Sequence, residues 1–322
     1  MSEEHGELVA ARLKSQLLVG SEARSPEEVV RHLLAVQAQD GRGARLAIRS
    51  RIAGLSVADV DDALTVQRLL LITWLNRGTL HLIASEDYWW LHPLTTLQLT
   101  TAIERRLRQE RVTRAQAERG VDVIDAAVTD GPQTREQLRR RLDESGIPTV
   151  GQAFVHILAS ASVRGKVVQG PMIGKKHALA SVSGWLGPRP AALDRIEALG
   201  MLTRRYLVGH TAAAAEDLAK WAGITLGDAR RGIDAIGDEI ADFRGSRVGL
   251  KAERTKVSGL PPPRLLGPFD PLLHGWKSRQ PIVGAHGDVV TSNGIFRPVA
   301  SRRWASGRDL GAARRRSHDR AV

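Results

Sequence analysis

Gln37-Ala38-Gln39-Asp40 follows an apolar stripe at helical spacing and offers two amides and a carboxylate in four residues. Cysteine is absent, which excludes thiolate nucleophiles, disulfides, zinc fingers and iron–sulfur clusters. The N-terminal half holds a single lysine, Lys14, too far along the chain from the glutamines to supply a Schiff-base amine beside them. His5, His32 and the other histidines lack a paired metal spacing with carboxylates, so neither a metal nor another cofactor is expected. A glutamine amide neither gives nor takes a full proton near neutral pH, so Gln37 and Gln39 are no acid–base pair. Two amides can still hold and orient a water. At i and i+2 their side chains diverge on a helix but share a side of an extended segment. The helix before them stops near Gly41, which predicts an extended turn at Gln37–Gln39; the plainer alternative is a polar helix end. Asp40 reads either as an electrostatic partner or, before Gly41, as a turn former.

The elements that must position these residues are marked by their caps. Ser25-Pro26-Glu27-Glu28 starts a helix with Ser as N-cap, Pro in the first position and Glu closing a capping box. Val29, Val30, Leu33, Leu34 and Val36 continue it as an apolar stripe. Further helical patterns lie at Ala44–Ile52 and after Ser56, then β-type runs at Leu69–Trp74 and Thr79–Ile83 flank Asn76-Arg77-Gly78. A helix at Val121–Val128, one at Arg135–Glu144 after Gly131-Pro132-Gln133-Thr134, and one near Val150–Val163 precede a hairpin of Lys166–Gln169 with His177–Ala180. The same order recurs at Ala191–Leu207, Ala213–Trp221, Leu226–Ile236 and the runs Ala241–Phe243 and Val248–Leu250. The fold class predicted is mainly α with small β hairpins (α+β): three tandem winged helix-turn-helix units at 1–115, 116–188 and 189–258. A small β-rich domain at 259–299 follows the prolines of 261–263, with strands expected at Ile282–Val283, Val289–Thr291 and Phe296–Val299 and a hairpin tip at Gly284–Asn293. After Val299 the chain loses strand periodicity, and 300–322 reads as an atypical tail, either a basic arm or a segment translated out of frame.

Charge indicates the partner. The formal net charge is +12, and the tail supplies +5 of it, from seven Arg against Asp309 and Asp319. Such an excess favours a polyanion, with double-stranded DNA the first candidate. In the middle unit the helix near Val150–Val163 is expected to enter a major groove while Arg164, Lys166, Lys175 and Lys176 reach phosphates. Arg42, Arg45, Arg77, Lys277 and Arg279 are further phosphate candidates, and His81, between Leu80 and Leu82, either faces DNA or is a hydrogen-bonded structural residue. Trp89, Trp90 and Trp185 read as core in preference to base-stacking groups. Arg105, Arg106 and Arg108 read as a solvated helix face. The acidic, polar N-terminus and the lack of an apolar run of about 18 residues imply a cytoplasmic, nucleoid-associated protein and no membrane partner.

Three segments together resemble a known family: Gln37-Ala38-Gln39-Asp40; Trp74-Leu75-Asn76-Arg77-Gly78-Thr79-Leu80-His81-Leu82 with Asp87; and Phe269-Asp270-Pro271-Leu272-Leu273. Over about residues 8–299 the chain resembles the winged helix DNA-binding domain-containing proteins whose characterised members are AlkZ-like and YcaQ-like bacterial DNA glycosylases. The resemblance implies three tandem winged helices with a C-terminal β domain around duplex DNA, and hydrolysis of the N-glycosidic bond of alkylated purines, in some members with unhooking of interstrand crosslinks. It maps the family's catalytic motif onto Gln37, Ala38 and Gln39, in the Gln-Gln form that leans toward bulky N7 adducts. An N7-alkylated purine carries positive charge and leaves readily, so a held water suffices and a monofunctional, monomeric enzyme is expected. The alternative is a non-catalytic winged-helix transcriptional regulator reading an operator, commonly as a dimer on a symmetric site.

Overall fold

The computed structural model describes residues 3–174, 176–243, 245–253, 264–291, 296–303 and 309–312. The first segment runs α1 (Glu3–Ser15), α2 (Pro26–Leu33), β1 (Val36–Gln37), α3 (Gly41–Arg49), α4 (Val57–Thr65), β2 (Leu70–Leu75), β3 (Thr79–Ala84), α5 (Tyr88–Thr96) and α6 (Leu99–Gln109). Ser25 caps α2 as expected, accepting from Glu28 N, but the Glu28 carboxylate accepts from Arg24 N, one residue earlier than a capping box requires. The helix ends at Leu33 because Leu34 turns to φ 65°, a left-handed conformation that no α-helix continues. Ser56 and Asp59 close a reciprocal box on α4.

The second segment comprises α7 (Arg114–Thr129), β4 (Gln133–Thr134), α8 (Arg135–Glu144), α9 (Ala153–Val163), β5 (Val167–Ile173), β6 (Lys176–Ser181) and α10 (Val182–Leu186). Capping boxes, Thr113 with Gln116 and Thr134 with Gln137, start α7 and α8. The third holds α11 (Arg195–Gly209), α12 (Ala215–Ala222), α13 (Leu226–Asp234) and the hairpin β7 (Ile240–Phe243) and β8 (Arg247–Leu250). Beyond it come β9 (Leu265–Leu266), α14 (Gln280–Val283), β10 (Val299–Arg303) and β11 (Asp309–Ala312).

The result is a mixed α+β architecture whose largest sheet has six antiparallel strands in the order β1-β3-β2-β5-β6-β4. The hairpins of the first two segments are thus not separate wings: β2 pairs with β5 at Ile72↔Gln169 and joins them. Three apolar cores flank this frame, one under α2–α4, one around α7–α9, and the largest spanning α1, α5, α11–α13 and the C-terminal residues.

Several expectations fail, the first being the helix expected to carry its stripe through Val36 to near Gly41: it stops at Leu33, Val36 lies in β1, and Gly41 opens α3. α9 is no groove-reading helix, for Phe154, Ile157, Leu158, Ala159, Ser160, Ala161 and Ser162 are all buried. A helix apolar on every side belongs in a core, and α9 packs between α6, α7 and β2. The C-terminal region is also less strand-rich than its periodicity promised: Ile282–Val283 closes α14 and 287–289 is a 3₁₀ turn, while Val290 makes a bridge to Phe296 and Val299 opens β10. Asn293, at the end of the expected hairpin tip, lies outside the described residues. Conversely, the tail expected to lack strand order begins with strands, β10 pairing with β9 and with β11.

Candidate active site and DNA interface

The left-handed turn at Leu34 and the extended residues after it place Gln37. In β1, Val36 lies opposite Leu82 and Gln37 opposite His81, while β2 sets Ile72 opposite Leu82 and Thr73 opposite His81. Side chains directly opposite in a ladder share a face. Val36, Leu82 and Ile72 therefore line the core under α2–α4, and Gln37, His81 and Thr73 form a buried polar row on the other face. Gln37 Nε2 donates to Gln39 Oε1 at 2.5 Å, so the extended backbone does bring both amides to one side. Gln37 is buried and Gln39 exposed, giving the pair one anchored and one solvent-facing amide. Asp40 serves the turn: it is the N-cap of α3 and accepts from Gly43 N at 2.5 Å.

His81 is buried, and its Nδ1 donates to Thr79 O at 2.9 Å, which leaves Nε2 as an acceptor. Burial, with a smaller effect of Arg77, lowers its pKa to about 4, so the imidazole is neutral at physiological pH. Next to it stands His274, pushed well below the usual histidine range by burial and then by Arg77, His81 and Arg279. Neutral rings beside the amide pair add no positive charge where a cationic base would sit.

The third wall is the Phe269–Leu273 segment, quoted in the family resemblance but given no role there. Gly43 at the start of α3 admits it: a Cβ there would lie 2.5 Å from Pro268 O, so only glycine permits this approach. Phe269 sits at φ 60°, with its ring 5.9 Å from His274 and 5.5 Å from Phe296. Asp270, fully buried, locks the segment by accepting both guanidinium nitrogens of Arg51 at 3.0 Å, and Arg51 also donates to Gln16 O and Ala47 O. Sequence reading missed Arg51, because its partners lie 35 and 219 positions away.

Most of the expected phosphate contacts have intramolecular partners. Arg45 bridges Asp61, Gly41 O and His177; Arg164 forks onto Glu118; Lys166 meets Asp125; and Lys176 meets Glu136. Exposed pairs such as Lys176–Glu136 are weak enough for a phosphate to replace the carboxylate. Arg77 Nη1 donates to Lys220 O at 3.0 Å and, more weakly, to Trp221 O, so the β2–β3 turn caps the C-terminus of α12 and does not hang free as a wing tip. The tip fits there because Gly223 has no side chain; a Cβ would lie 2.5 Å from Asn76 O. Arg42 is exposed, one turn from Gln39, and has no partner among the described residues. Lys277 is exposed and Arg279 lies over the Phe296 ring at 4.9 Å, both on the side of His274. Lys175 lies outside the described residues. Trp90 donates to Asp87, which also takes a two-pronged bond from Arg205, and Trp185 is buried against Gly170.

The family model for AlkZ-like DNA glycosylases matches residues 30–321. The chain belongs to that family. It is accordingly a DNA glycosylase, a DNA-binding repair enzyme, which sets aside the reading as a transcriptional regulator. The match runs past Val299, the expected end of the resemblance, and takes in most of the tail. Among solved structures the fold resembles the Streptomyces sahachiroi DNA glycosylase AlkZ, with a TM-score of 0.77 and 24% identity over 96% of this chain and 87% of that one. No curated protein matches the chain. Among the described residues no helix is long and apolar enough to cross a membrane.

Proposed function

We propose that this glycosylase is monofunctional and hydrolyses the N-glycosidic bond of N7-alkylated purines in duplex DNA, including adducts that crosslink the strands. Gln37 and Gln39 hold the attacking water. The observation that carries this reading is the hydrogen bond from Gln37 Nε2 to Gln39 Oε1 on an extended segment opposite neutral His81. That bond leaves Gln37 Oε1 and the Gln39 amide protons to accept from and donate to one water. Charge on the alkylated ring already weakens the bond between C1′ and the base, so no general acid is required. As that bond breaks, its electron pair returns to the ring and neutralises it, and the water oxygen closes on C1′. The water's spare proton leaves to solvent or to His81 Nε2, a weak base that needs only a transient role. Arg42, Arg77, Lys277 and Arg279 approach phosphates around the lesion, and a single chain of three winged-helix units, the hairpins of the first two fused into one sheet, with a C-terminal domain, serves one lesion as a monomer in the nucleoid.

The test uses duplexes carrying 7-methylguanine, and separately a crosslinked duplex, followed by alkali to reveal abasic sites. Wild-type protein is expected to cut at the lesion, while Gln37→Ala and Gln39→Ala lose activity with duplex affinity retained. Full activity in both variants would sink the assignment. Cutting of the simple adduct without release of the crosslink would confine the substrate to small adducts.

A further inference from the structure

A recess of about 1000 Å³ opens between α1, the β7–β8 turn and the residues before α14. Its deepest polar group is Arg12, 2% exposed, whose guanidinium lies 4.3 Å over the ring of Trp276. Arg12 Nε and Nη1 are buried and have no hydrogen-bond partner among the described residues. A buried cation without a full set of hydrogen-bond partners is a costly arrangement, and burial, against the opposing pull of Asp217, lowers the Arg12 pKa to about 10, leaving it charged at neutral pH. The nearest carboxylate does not neutralise it directly. Asp217 accepts from Ala214 N through one oxygen and from Lys277 N through the other, and forms no ion pair with Arg12.

Three more cations line the same recess: Arg247, Lys277 and Arg279. Glu216 and Asp217 are the opposing charges on the wall, so the lining stays positive by two. Crowding of like charges continues outside it, where burial and then Arg279, Arg77 and Lys277 lower the Lys220 ammonium. Ser246 and Ser278 add hydroxyls, and Gly245, Gly284 and Gly287 leave backbone accessible.

We propose that this recess is an anion site in which Arg12 at the floor and Arg247, Lys277 and Arg279 around it hold one phosphate group. The guanidinium fork matches phosphate oxygens, and the serine hydroxyls can donate to the remainder. As a seat for a DNA backbone phosphate it rests on the family's DNA binding, and would fix the duplex relative to the Phe269–Leu273 wall. A free phosphate has the same chemistry.

Two measurements separate these sources. In the first, inorganic phosphate is titrated with the full chain and followed by phosphorus NMR; wild type is expected to broaden and shift the signal, and Arg12→Gln to abolish this. Because Arg12 also packs on Trp276, Lys277→Gln is the second variant, expected to weaken phosphate binding several-fold without touching the core. In the second, affinity for an undamaged duplex is measured against salt. Loss of one phosphate contact should reduce the slope of log affinity against log salt by about 0.9 in Arg12→Gln. Phosphate binding with that slope change assigns the site to DNA; phosphate binding with an unchanged slope assigns it to a free phosphate. No phosphate binding by wild type and no slope change overturns the proposal. Wild type that binds phosphate but no duplex would count against the DNA reading alone.

Discussion

Replacing Arg51 by methionine tests the joint that holds the C-terminal wall of the site. Arg51 and Asp270 are both fully buried, and the guanidinium also serves Gln16 O, Gln16 Oε1 and Ala47 O. Methionine fills similar volume but leaves the Asp270 carboxylate in the core, with Leu272 N as its remaining donor. Removing one partner of a buried pair costs about 3–5 kcal/mol, a large part of the roughly 5–15 kcal/mol by which a folded protein is stable. The melting temperature should fall by on the order of 10 °C. Asp270→Leu alone should cost a similar amount, by stranding the guanidinium. The double variant should recover most of the loss, because no charge is then left behind, though Gln16 and Ala47 still lack their donor. Thermal and urea melting of the four proteins form a complete cycle. Single variants within about 1 kcal/mol of wild type, or a double variant as unstable as the sum of the singles, would refute the reasoning.

Acid should unfold the protein early. His81 and His92 fall to about 4 and His210 to about 3, each chiefly through burial, whereas an unfolded histidine titrates near 6.5. The unfolded chain therefore binds protons that the folded chain refuses, so stability is intact above about pH 6.5 and declines as pH falls toward 4. At pH 5 each of the three contributes a loss of about 2 kcal/mol, and melting curves at pH 7 and pH 5 should differ accordingly; superimposable curves would disprove it. Gly43→Ala should cost about 1–3 kcal/mol, since its methyl would meet Pro268 O at 2.5 Å, and should lower glycosylase turnover by displacing the Phe269 segment. Unchanged melting and turnover would show that this approach is not constrained.

Local signals in the sequence were reliable where the physics is local. Ser25, Ser56 and Thr134 are the N-caps of their helices, whereas the helix expected to begin at Val121 begins at Arg114 behind Thr113, and both hairpins around 70–84 and 167–181 follow from β-type runs separated by turn residues. The extended conformation at Gln37 was expected from a helix stop near Gly41; the segment is extended, but the helix stops already at Leu33 and Gly41 opens the next one. The all-round apolar surface of Ala153–Val163 marks a buried helix, and that signal outweighs its place in a helix-turn-helix order. What could not be read was long-range pairing. Nothing near Arg45, Arg164 or Lys166 announces Asp61, Glu118 or Asp125, and a basic residue looks equally free until its carboxylate is placed. Two-residue runs such as Ile282–Val283 are too short to tell a strand from the end of a helix. Nothing in the sequence around Arg12 marks it out, since the Trp276 ring it packs on lies at the other end of the chain.

The seam between β2 and β5 bears on how a lesion is met. A hairpin sewn into its neighbour at Ile72 and Gln169, with Thr73 and Ser162 bonded behind it, has surrendered its freedom to swing. Two of the three segments then form one plate, with Gln37 on its edge strand β1, and on the proposed reading that plate meets the duplex. A plate cannot wrap, so conformity has to come from the nucleic acid. Bending a short stretch of duplex costs on the order of 1–6 kcal/mol, and less where stacking is already weakened. The expected consequence is a preference for damage that softens the helix, checked by comparing affinity for undamaged duplexes with and without a flexible mismatch.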